Sequence, residues 1–377
     1  MNILITGGAG FIGSNLAISL IKRGHFVRVL DNLSPQIHGE DPLQSSLYKS
    51  IKDRVEFIRG DVREKSDLEQ SLEGIEVVVH LAAETGTGQS MYNMQHYINV
   101  NISGTALLLE TITNSKYSIK RLVVASSRAV YGEGKYYCET DGYVYPVARN
   151  SFDLERGDFE VHCPYCLRHV KLVPTDESTP VRPSSIYGIT KLNQEQMCLT
   201  IGRVNKISTI AYRYQNVYGP GQSLSNPYTG ILSIFSTRLR NERGINIFED
   251  GLESRDFVHI DDVVTATVAG IEITSEIIEV FNVGSGVQTN VLTVANSLQK
   301  LFQTAVPIKI SGQFRVGDIR HNLADLSHVK STLGWSGPRI NFDNGLIGFV
   351  NWVRNEAIYN DRYEDSMSEL IAKGLLK

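Results

Sequence analysis

The sequence predicts an α/β fold: a doubly wound parallel sheet with helices on both faces, followed by a smaller C-terminal α/β lobe. Short apolar strands are predicted near residues 2–6, 26–31, 55–59, 76–81 and 121–126. Segments with the apolar periodicity of helices separate them, and this alternation is typical of parallel strands joined by crossover helices. From residue 208 the pattern becomes less regular and richer in turn-forming residues, which places most of the smaller lobe after that point.

Periodicity and end signals predict helices over residues 11–23, 98–113, 185–203 and 358–377. The first stops at Gly24, which suits the left-handed conformation common at a helix C-terminus. The third can be capped at its start by the hydroxyl of Ser184 or Ser185. The last is a charged terminal helix to which we assign no chemistry.

The composition excludes several classes of protein. Of the 377 residues 42% are hydrophobic and 21% are charged, the balance of a globular chain with one large core and an appended lobe. With a formal net charge of -4, the chain lacks the basic surface that duplex binding requires, so nucleic acid is not an expected partner. Because no secretion signal and no apolar run of about 20 residues is present, we expect a cytoplasmic protein without a membrane partner.

A glycine-rich turn, Thr6–Gly13, joins the first strand to the first helix. Its glycines allow a tight turn, close approach of a pyrophosphate to the backbone, and close packing of the helix on the strand. Asp31 ends the second strand about 20 residues later, where a carboxylate accepts from both hydroxyls of an adenosine ribose. Because this carboxylate repels a 2′-phosphate, the pattern predicts NAD rather than NADP. The predicted cofactor contacts are Gly7, Gly10, Phe11, Ile12, Gly13, Asp31 and Asn32.

Further motifs resemble those of the extended short-chain dehydrogenase/reductase family, across nearly the whole chain. They are Asp61 after the third strand, Leu81–Ala83, Asn101 in Asn-Ile-Ser-Gly-Thr, and Tyr187-Gly-Ile-Thr-Lys191. The resemblance implies a homodimer in which residues 1–212 form an NAD-binding Rossmann domain with an insertion at 133–182. Residues 213–377 would form mainly the substrate lobe, with some segments returning to the first domain. The cofactor contacts added are Asp61, Val62, Leu81, Ala82, Ala83, Asn101, Tyr187 and Lys191.

Three residues form the predicted catalytic group. Tyr187 and Lys191 are four residues apart on one helix face, so the ammonium can stabilise a phenolate beside it. Such help is needed because an unperturbed tyrosine titrates at roughly pH 10. Ser127 ends the fifth strand, the position from which the family supplies a hydroxyl to the substrate oxygen. The resemblance implies that Tyr187 takes the proton of a sugar hydroxyl, Ser127 orients that oxygen, and hydride passes to NAD, giving a 4-keto sugar.

The fate of that keto sugar separates an epimerase from a dehydratase. Dehydratases of the family carry an Asp-Glu pair after this strand and eliminate water, whereas this chain reads Ser-Ser-Arg-Ala-Val-Tyr-Gly over residues 126–132. We therefore expect the hydride to return to the opposite face, which inverts C4. A dehydratase, a decarboxylating relative and a non-catalytic NAD-sensing regulator are the alternatives, and retention of Ser127, Tyr187 and Lys191 argues against the last.

The substrate is expected to be a nucleotide sugar. Four residues match positions that the family uses for the diphosphate and the base: Asn216, Phe248, Arg255 and Arg315. An isolated arginine is usually solvated, but two inside matched motifs suit diphosphate oxygens.

A narrower resemblance, to dTDP-L-rhamnose 4-epimerases, is carried by residues 84–92, 126–131 and 226–230. It implies dTDP-L-rhamnose as substrate and dTDP-6-deoxy-L-talose as product, with Gln89 and Ser90 on the sugar side. UDP-glucose and UDP-galacturonate stay open as alternatives, because a hydrophobic pocket discriminates weakly between similar sugars.

The insertion contains a separate signal. Cys163 and Cys166 have the spacing of a structural zinc knuckle, and Cys138, His162 or His169 could complete a tetrahedral site. The alternative is that these cysteines are small buried apolar residues.

Overall fold

The computed structural model describes residues 1–114, 117–228, 230–358 and 361–377. The predicted terminal helix and the 226–230 motif each overlap the gaps, since Tyr359, Asn360 and Thr229 lie outside the described residues. Within the described ranges, no helix has both the length and the apolar character needed to cross a membrane.

The strands are β1 (Asn2–Thr6), β2 (Phe26–Asp31), β3 (Glu56–Arg59), β4 (Val77–His80), β5 (Arg121–Ser127), β6 (Tyr136–Cys138), β7 (Gly142–Val144), β8 (Lys171–Leu172), β9 (Ser208–Tyr214), β10 (Asn216–Tyr218), β11 (Ile245–Ile247), β12 (Ser254–His259), β13 (Ile278–Val283), β14 (Gln288–Asn290) and β15 (Ile308–Ile310). The α-helices are α1 (Phe11–Lys22), α2 (Pro35–His38), α3 (Ser46–Ile51), α4 (Lys65–Leu72), α5 (Thr87–Ser90), α6 (Met94–Tyr97), α7 (Gly104–Thr113), α8 (Ser151–Glu155), α9 (Ile186–Asn205), α10 (Ile231–Arg240), α11 (Ile260–Glu272), α12 (Val291–Phe302), α13 (Ser327–Leu333), α14 (Phe342–Asn355) and α15 (Tyr363–Ala372).

The main sheet has seven parallel strands in the order β13-β9-β5-β4-β1-β2-β3. Successive side chains of a strand alternate between its faces, so Ile3 and Ile5 pack with α1 and α11 while Leu4 packs on the side of α7 and α9. The strand order reverses between β1 and β4, which opens a crevice at the carboxyl ends of these strands. The predicted doubly wound fold and its first five strands are confirmed.

The helices predicted over 11–23, 98–113 and 185–203 are confirmed, but the terminal helix predicted over 358–377 is too long, since among the described residues of this range only Tyr363–Ala372 (α15) are helical. The helix predicted over 98–113 begins with a π-helical turn, Ile98–Ser103, before α7. This wider turn carries Asn101, whose buried side chain hydrogen-bonds outside the helix. Of the two candidate caps of α9, Ser185 is the one used, since its Oγ accepts from the Gly188 amide, whereas Ser184 donates to the Gly317 carbonyl.

The smaller lobe packs α10, α12 and α14 around short sheets, β10-β12-β14 and β11-β15. Its polypeptide returns to the first domain, because α11 packs against α1 and β13 pairs with β9. The insertion forms its own three-stranded antiparallel sheet, in the order β7-β6-β8.

A buried ion pair joins α9 to β9 behind the crevice. Arg213 Nη2 lies 2.6 Å from Glu195 Oε1 and its Nε lies 3.0 Å from Oε2, so both carboxylate oxygens are bound. Ser126 Oγ donates to the same carboxylate at 2.6 Å. Because both charges are buried, removing either one leaves the other uncompensated.

We predict that Glu195→Gln lowers the free energy of unfolding by about 3–5 kcal/mol, the usual cost of breaking a buried pair. The matched control is Glu69→Gln, which removes an exposed partner of Lys65 on α4 and should change that free energy by less than about 0.5 kcal/mol. Urea denaturation followed by circular dichroism measures both; equal changes in the two variants would contradict the prediction.

Candidate active site

A cavity of about 320 Å³ lies at the carboxyl edge of the main sheet. It is lined by most of the predicted cofactor residues: Gly7, Gly10, Phe11, Ile12, Gly13, Asp31, Asn32, Asp61, Val62, Leu81, Ala82 and Ala83. Ser127, Tyr187 and Lys191 line the same cavity. The structure therefore brings the predicted phosphate turn and the predicted catalytic group into one space.

The glycine turn leaves no room for side chains. Gly7 has a φ of +67°, and a Cβ on Gly13 would lie 2.5 Å from the Gly7 carbonyl oxygen and 2.6 Å from Gly8 Cα. Helix α1 therefore starts directly against the turn. Because Gly10, the residue before α1, has no side chain to cap the helix, the first amide groups of α1 remain available for an anion.

Asp31 holds the turn as well as facing the cavity. Its Oδ2 accepts from the Ala9 amide at 2.9 Å and its Oδ1 accepts from the Leu33 amide at 2.8 Å. Burial raises the pKa of this carboxyl group, and these two hydrogen bonds lower it in part. Asp61 follows β3, the strand next to β2. Its pKa falls to about 2, mainly because Arg63 donates hydrogen bonds to its carboxylate. Asn32 Nδ2 donates to the same carboxylate.

The catalytic group is assembled by β5 and α9. Burial raises the pKa of Tyr187, while a hydrogen bond from Ser127 and the positive charge of Arg128 lower it in part. Lys191 Nζ donates to the Ala125 carbonyl at 2.8 Å and to Gln194 Oε1 at 2.9 Å. Burial lowers the pKa of Lys191 to about 7. The charge of Arg128 thus acts on the phenol, and Lys191 is hydrogen-bonded to β5 and to Gln194.

A buried hydrogen-bond chain continues behind Lys191. Gln194 Nε2 donates to Thr105 Oγ1 at 2.7 Å and lies 3.2 Å from His80 Nε2, and His80 Nδ1 lies 2.7 Å from Thr6 Oγ1. Burial, with the charge of Lys191, lowers the pKa of His80 to about 3, so the imidazole is neutral at physiological pH. These hydrogen bonds connect Lys191 to Thr6 at the carboxyl end of β1 and hold the lysine side chain in place.

A second cavity, of about 180 Å³, lies between the first domain and the smaller lobe. The predicted substrate residues Asn216, Phe248, Arg255 and Arg315 all line it, together with Arg128. The Arg315 guanidinium lies 5.5 Å from the centre of the Phe248 ring and binds Asp318 at 2.5 Å. Asn216 Oδ1 is buried with no hydrogen-bond partner among the described residues.

Three arginines converge on this second cavity. Arg255 is pinned by the carbonyl oxygens of Ser254, Ile319 and Arg320. Burial, and then the charge of Arg255, lower the pKa of Arg128 to about 10. Like charges held together at a cost in desolvation are typical of an anion-binding site.

A family model described as the NAD-dependent epimerase/dehydratase family matches residues 3–153 and 165–284. The chain belongs to this family. The dTDP-L-rhamnose 4-epimerase of Burkholderia thailandensis is 37% identical over 94% of this chain and 95% of its own length. A putative UDP-glucose 4-epimerase of Methanocaldococcus jannaschii is 31% identical, covering 94% and 98%. The crystal structure of UDP-glucuronic acid 4-epimerase from Bacillus cereus, in complex with UDP-glucuronic acid and NAD, gives a TM-score of 0.76 at 28% identity, covering 94% and 99%.

The chain is an NAD-dependent nucleotide-sugar 4-epimerase. The first cavity of this epimerase fits its cofactor, because Gly7, Gly10 and Gly13 line it without side chains and a Cβ on Gly13 would clash with the backbone of the turn. Gly7, Gly10 and Gly13 would hold the pyrophosphate of NAD, and the carboxylate of Asp31 would face the adenosine ribose. Bound NAD supplies an oxidant that is regenerated in each turnover.

Three predicted contact residues line neither cavity of the epimerase. The side chain of Asn101 holds both backbone groups of Glu84 and donates to Thr190 Oγ1. Gln89 pairs with Gln36 and accepts from the Tyr97 hydroxyl, and Ser90 Oγ accepts from the Tyr187 amide. Each of the three therefore positions a cavity segment in this structure rather than facing the cavity.

Sequence reasoning missed Arg128, Gln194 and His80. The sequence analysis used the stretch around Arg128 only for its lack of an acid pair and predicted no role for the arginine itself. Gln194 had a usable signal, since it lies three residues after Lys191 and so on the same helix face. His80 had none, because its role depends on the pairing of β4 with β1.

We predict that Gly13→Ala abolishes NAD retention, because the added Cβ meets backbone atoms that cannot move without opening the turn. The control is Gly348→Ala in α14, where no atom lies within 4 Å of the added Cβ. Absorbance of NAD released from denatured protein measures retention. Equal cofactor content in the two variants would show that the turn does not hold the pyrophosphate.

We predict that Ser127→Ala moves the rising limb of the pH–rate profile to higher pH. In the predicted mechanism ionised Tyr187 is the base, so activity should rise as the phenol loses its proton, and removing the hydrogen bond of Ser127 should raise the pKa of that phenol further. Initial rates between about pH 6 and about pH 10 measure the shift. Tyr187→Phe serves as the control and should be nearly inactive at every pH; an unshifted limb in Ser127→Ala would exclude the proposed role of this hydroxyl.

Proposed function

We propose that this epimerase converts dTDP-L-rhamnose to dTDP-6-deoxy-L-talose through a transient 4-keto sugar. The observation that carries the proposal is that two cavities are lined by adjacent residues: Ser127, with Tyr187, lines the one suited to NAD, and Arg128 lines the one that contains the arginines. The 37% identity to a dTDP-L-rhamnose 4-epimerase, over 94% of the chain, favours this sugar among those of the family.

The residues of the chain divide the reaction between them. Tyr187 takes the proton of the C4 hydroxyl, and Ser127 donates a hydrogen bond to that oxygen as it becomes a carbonyl. NAD accepts the hydride from C4 and gives it back to the opposite face. Arg255 and Arg315 hold the diphosphate, so the sugar can rotate while the nucleotide stays bound.

The segment after β5 opposes elimination of water. Residues 128–132 include no carboxylate, and the first acid after them, Glu133, accepts from the Arg320 amide and lies 3.4 Å from Arg149 Nε. Its carboxylate is 1% exposed and is committed to a structural contact. This segment therefore supplies no acid–base pair for C5 and C6 of the keto sugar, which favours return of the hydride.

A UDP-uronate is the second candidate, and Arg128 favours it. This guanidinium lines the second cavity and acts electrostatically on Tyr187, which places it near the reacting end of a bound sugar. A carboxylate at C5 of the sugar would neutralise Arg128, whereas the methyl group of rhamnose would not. The B. cereus structure, with UDP-glucuronic acid, resembles this chain over 94% of its length.

We predict that proton NMR of the purified enzyme with dTDP-L-rhamnose, without added cofactor, shows the H1 and H4 signals of the 4-epimer. UDP-glucuronate and UDP-glucose are run in parallel. A Tyr187→Phe protein that retains NAD is the control and should give no product. Turnover of a UDP-sugar with no change in dTDP-L-rhamnose would contradict the rhamnose assignment and leave the epimerase class intact.

Arg128→Met separates the two candidates further, since it keeps the volume of the side chain and removes the charge. If a uronate is the substrate, the loss of one charge-assisted hydrogen bond should raise its KM by about 10- to 100-fold. If dTDP-L-rhamnose is the substrate, its KM should change much less, and any fall in rate should appear in kcat, because Arg128 also acts on Tyr187. Steady-state rates of the wild type and the variant on both sugars provide the comparison.

A further inference from the structure

The insertion between β5 and α9 brings together four ligand atoms that the epimerase chemistry does not use. Cys138 ends β6, Asp141 lies in the turn after it, and Cys163 and Cys166 belong to the segment before β8. Their three sulfur atoms and one carboxylate oxygen all lie within 4.8 Å of one another. The fourth cysteine of the chain, Cys198, is buried in α9 with a different set of neighbours.

The spacing of these atoms matches a tetrahedral metal site. Cys138 Sγ lies 3.4 Å from Cys166 Sγ and 3.3 Å from Asp141 Oδ2, and Cys163 Sγ lies 3.1 Å from the same oxygen. Ligands of a tetrahedral zinc ion with Zn–S distances of about 2.3 Å lie roughly 3.7 Å apart. A shift of a few tenths of an ångström would therefore admit the ion.

We propose that Cys138, Asp141, Cys163 and Cys166 bind one structural zinc ion. Zinc prefers thiolate sulfur, accepts a carboxylate oxygen, and takes four protein ligands where its role is structural. With all four positions filled by the chain, no position remains for a water or a substrate. The ion therefore has a structural role and is separate from epimerisation.

The backbone around the two central cysteines is bent as a metal knuckle requires. The Cys163 amide donates to the Arg168 carbonyl at 2.8 Å, and the Leu167 amide donates to the Cys163 carbonyl at 3.1 Å. Leu167 adopts a left-handed conformation, with φ of +62°, although its side chain is 74% exposed. This conformation is costly for a residue other than glycine, and no buried side-chain contact of Leu167 offsets the cost.

Both histidines that the sequence analysis considered as ligands lie against Asp158 instead of the cysteines. His162 Nε2 lies 3.1 Å from Asp158 Oδ2, and His169 Nε2 lies 3.5 Å from Asp158 Oδ1. Their rings stack on each other with centres 4.8 Å apart. Asp141, which the sequence pattern did not single out, thus lies with the three cysteines where the sequence had left either histidine open as a ligand.

The insertion needs a stabilising metal ion because its own hydrophobic core is small. Its buried apolar cluster consists of Tyr136, Cys138, Val144, Val161 and Cys163. A core of this size does not order a segment of about 50 residues, and small units commonly use a metal or disulfides instead. Two members of the cluster are themselves proposed ligands, so the metal would sit at the edge of this core.

Ordering the insertion matters for the second cavity. Arg149, within the insertion, binds Glu249 at 2.7 Å and donates to the Asp318 carbonyl at 3.0 Å. Glu249 is the residue after Phe248, and Asp318 pairs with Arg315, so both contacts support the wall that carries the predicted nucleotide-sugar residues. This last step rests on the proposed function, whereas the metal site does not.

Metal analysis of the purified full-length enzyme by mass spectrometry tests the site without any activity measurement. We expect about one zinc per chain, lost in Cys163→Ser and in Cys166→Ser. The matched control is Cys198→Ser, which should keep the zinc. A metal-free wild type would overturn the proposal, whether thiol titration then finds four free thiols or a Cys138–Cys166 disulfide. If the serine variants fail to fold, the wild-type measurement still decides.

The fourth ligand and the effect on the pocket need two further variants. Asp141→Ala should release zinc to a chelator faster than the wild type, Asp141→His should restore retention, and Glu139→Ala, an exposed acid beside the site, should not change it. Unchanged release from Asp141→Ala would exclude this residue as a ligand. Zinc-free Cys163→Ser should keep NAD and show a raised KM for whichever sugar nucleotide the wild type epimerises. An unchanged KM would overturn the link to the pocket but not the metal site.

Discussion

The parallel register of one sheet fixes the position of nearly every group in the site. Because the strands run in one direction, Thr6, Asp31, His80 and Ser127 all reach the same edge. The reversal of strand order between β1 and β4 opens that edge to the cofactor. Helix α9 packs across β5 and sets Tyr187 beside Ser127. A slip of one residue in β5 would turn this serine to the other face and separate the pair.

The ionisable side chains around the crevice are buried, and this burial lowers the stability of the folded protein. Lys191 and Arg128 have lowered pKa values and Tyr187 has a raised one, chiefly because burial disfavours their charged forms. Buried partners elsewhere offset part of this cost: both oxygens of Glu195 are bound by Arg213. Perturbed ionisable groups gathered around a cavity at one end of a sheet are typical of an active site.

Much of this could be predicted from local patterns. The glycine turn, the acid ending β2 and the Tyr187–Lys191 spacing depend on residues close in sequence, and these fix the cofactor cavity. Features that depend on burial and long-range pairing could not be predicted: Arg128 acting on Tyr187, the π-helical turn at Ile98–Ser103, and Asn101 facing a neighbouring backbone rather than the cavity. In the insertion, the sequence identified the cysteines, but only the fold brings Asp141 to them.

In the proposed mechanism a hydride leaves C4 of the sugar and returns to the same carbon. The fate of an isotopic label at C4 tests this most directly. dTDP-L-rhamnose carrying deuterium at C4 should be converted in ordinary water to dTDP-6-deoxy-L-talose that retains the deuterium at C4, as measured by mass spectrometry and proton NMR. Retention means that the same hydride leaves and returns without contact with solvent. Replacement of the deuterium by solvent hydrogen would mean that C4 is deprotonated and reprotonated, and would contradict the mechanism derived from the Ser127–Tyr187 pair.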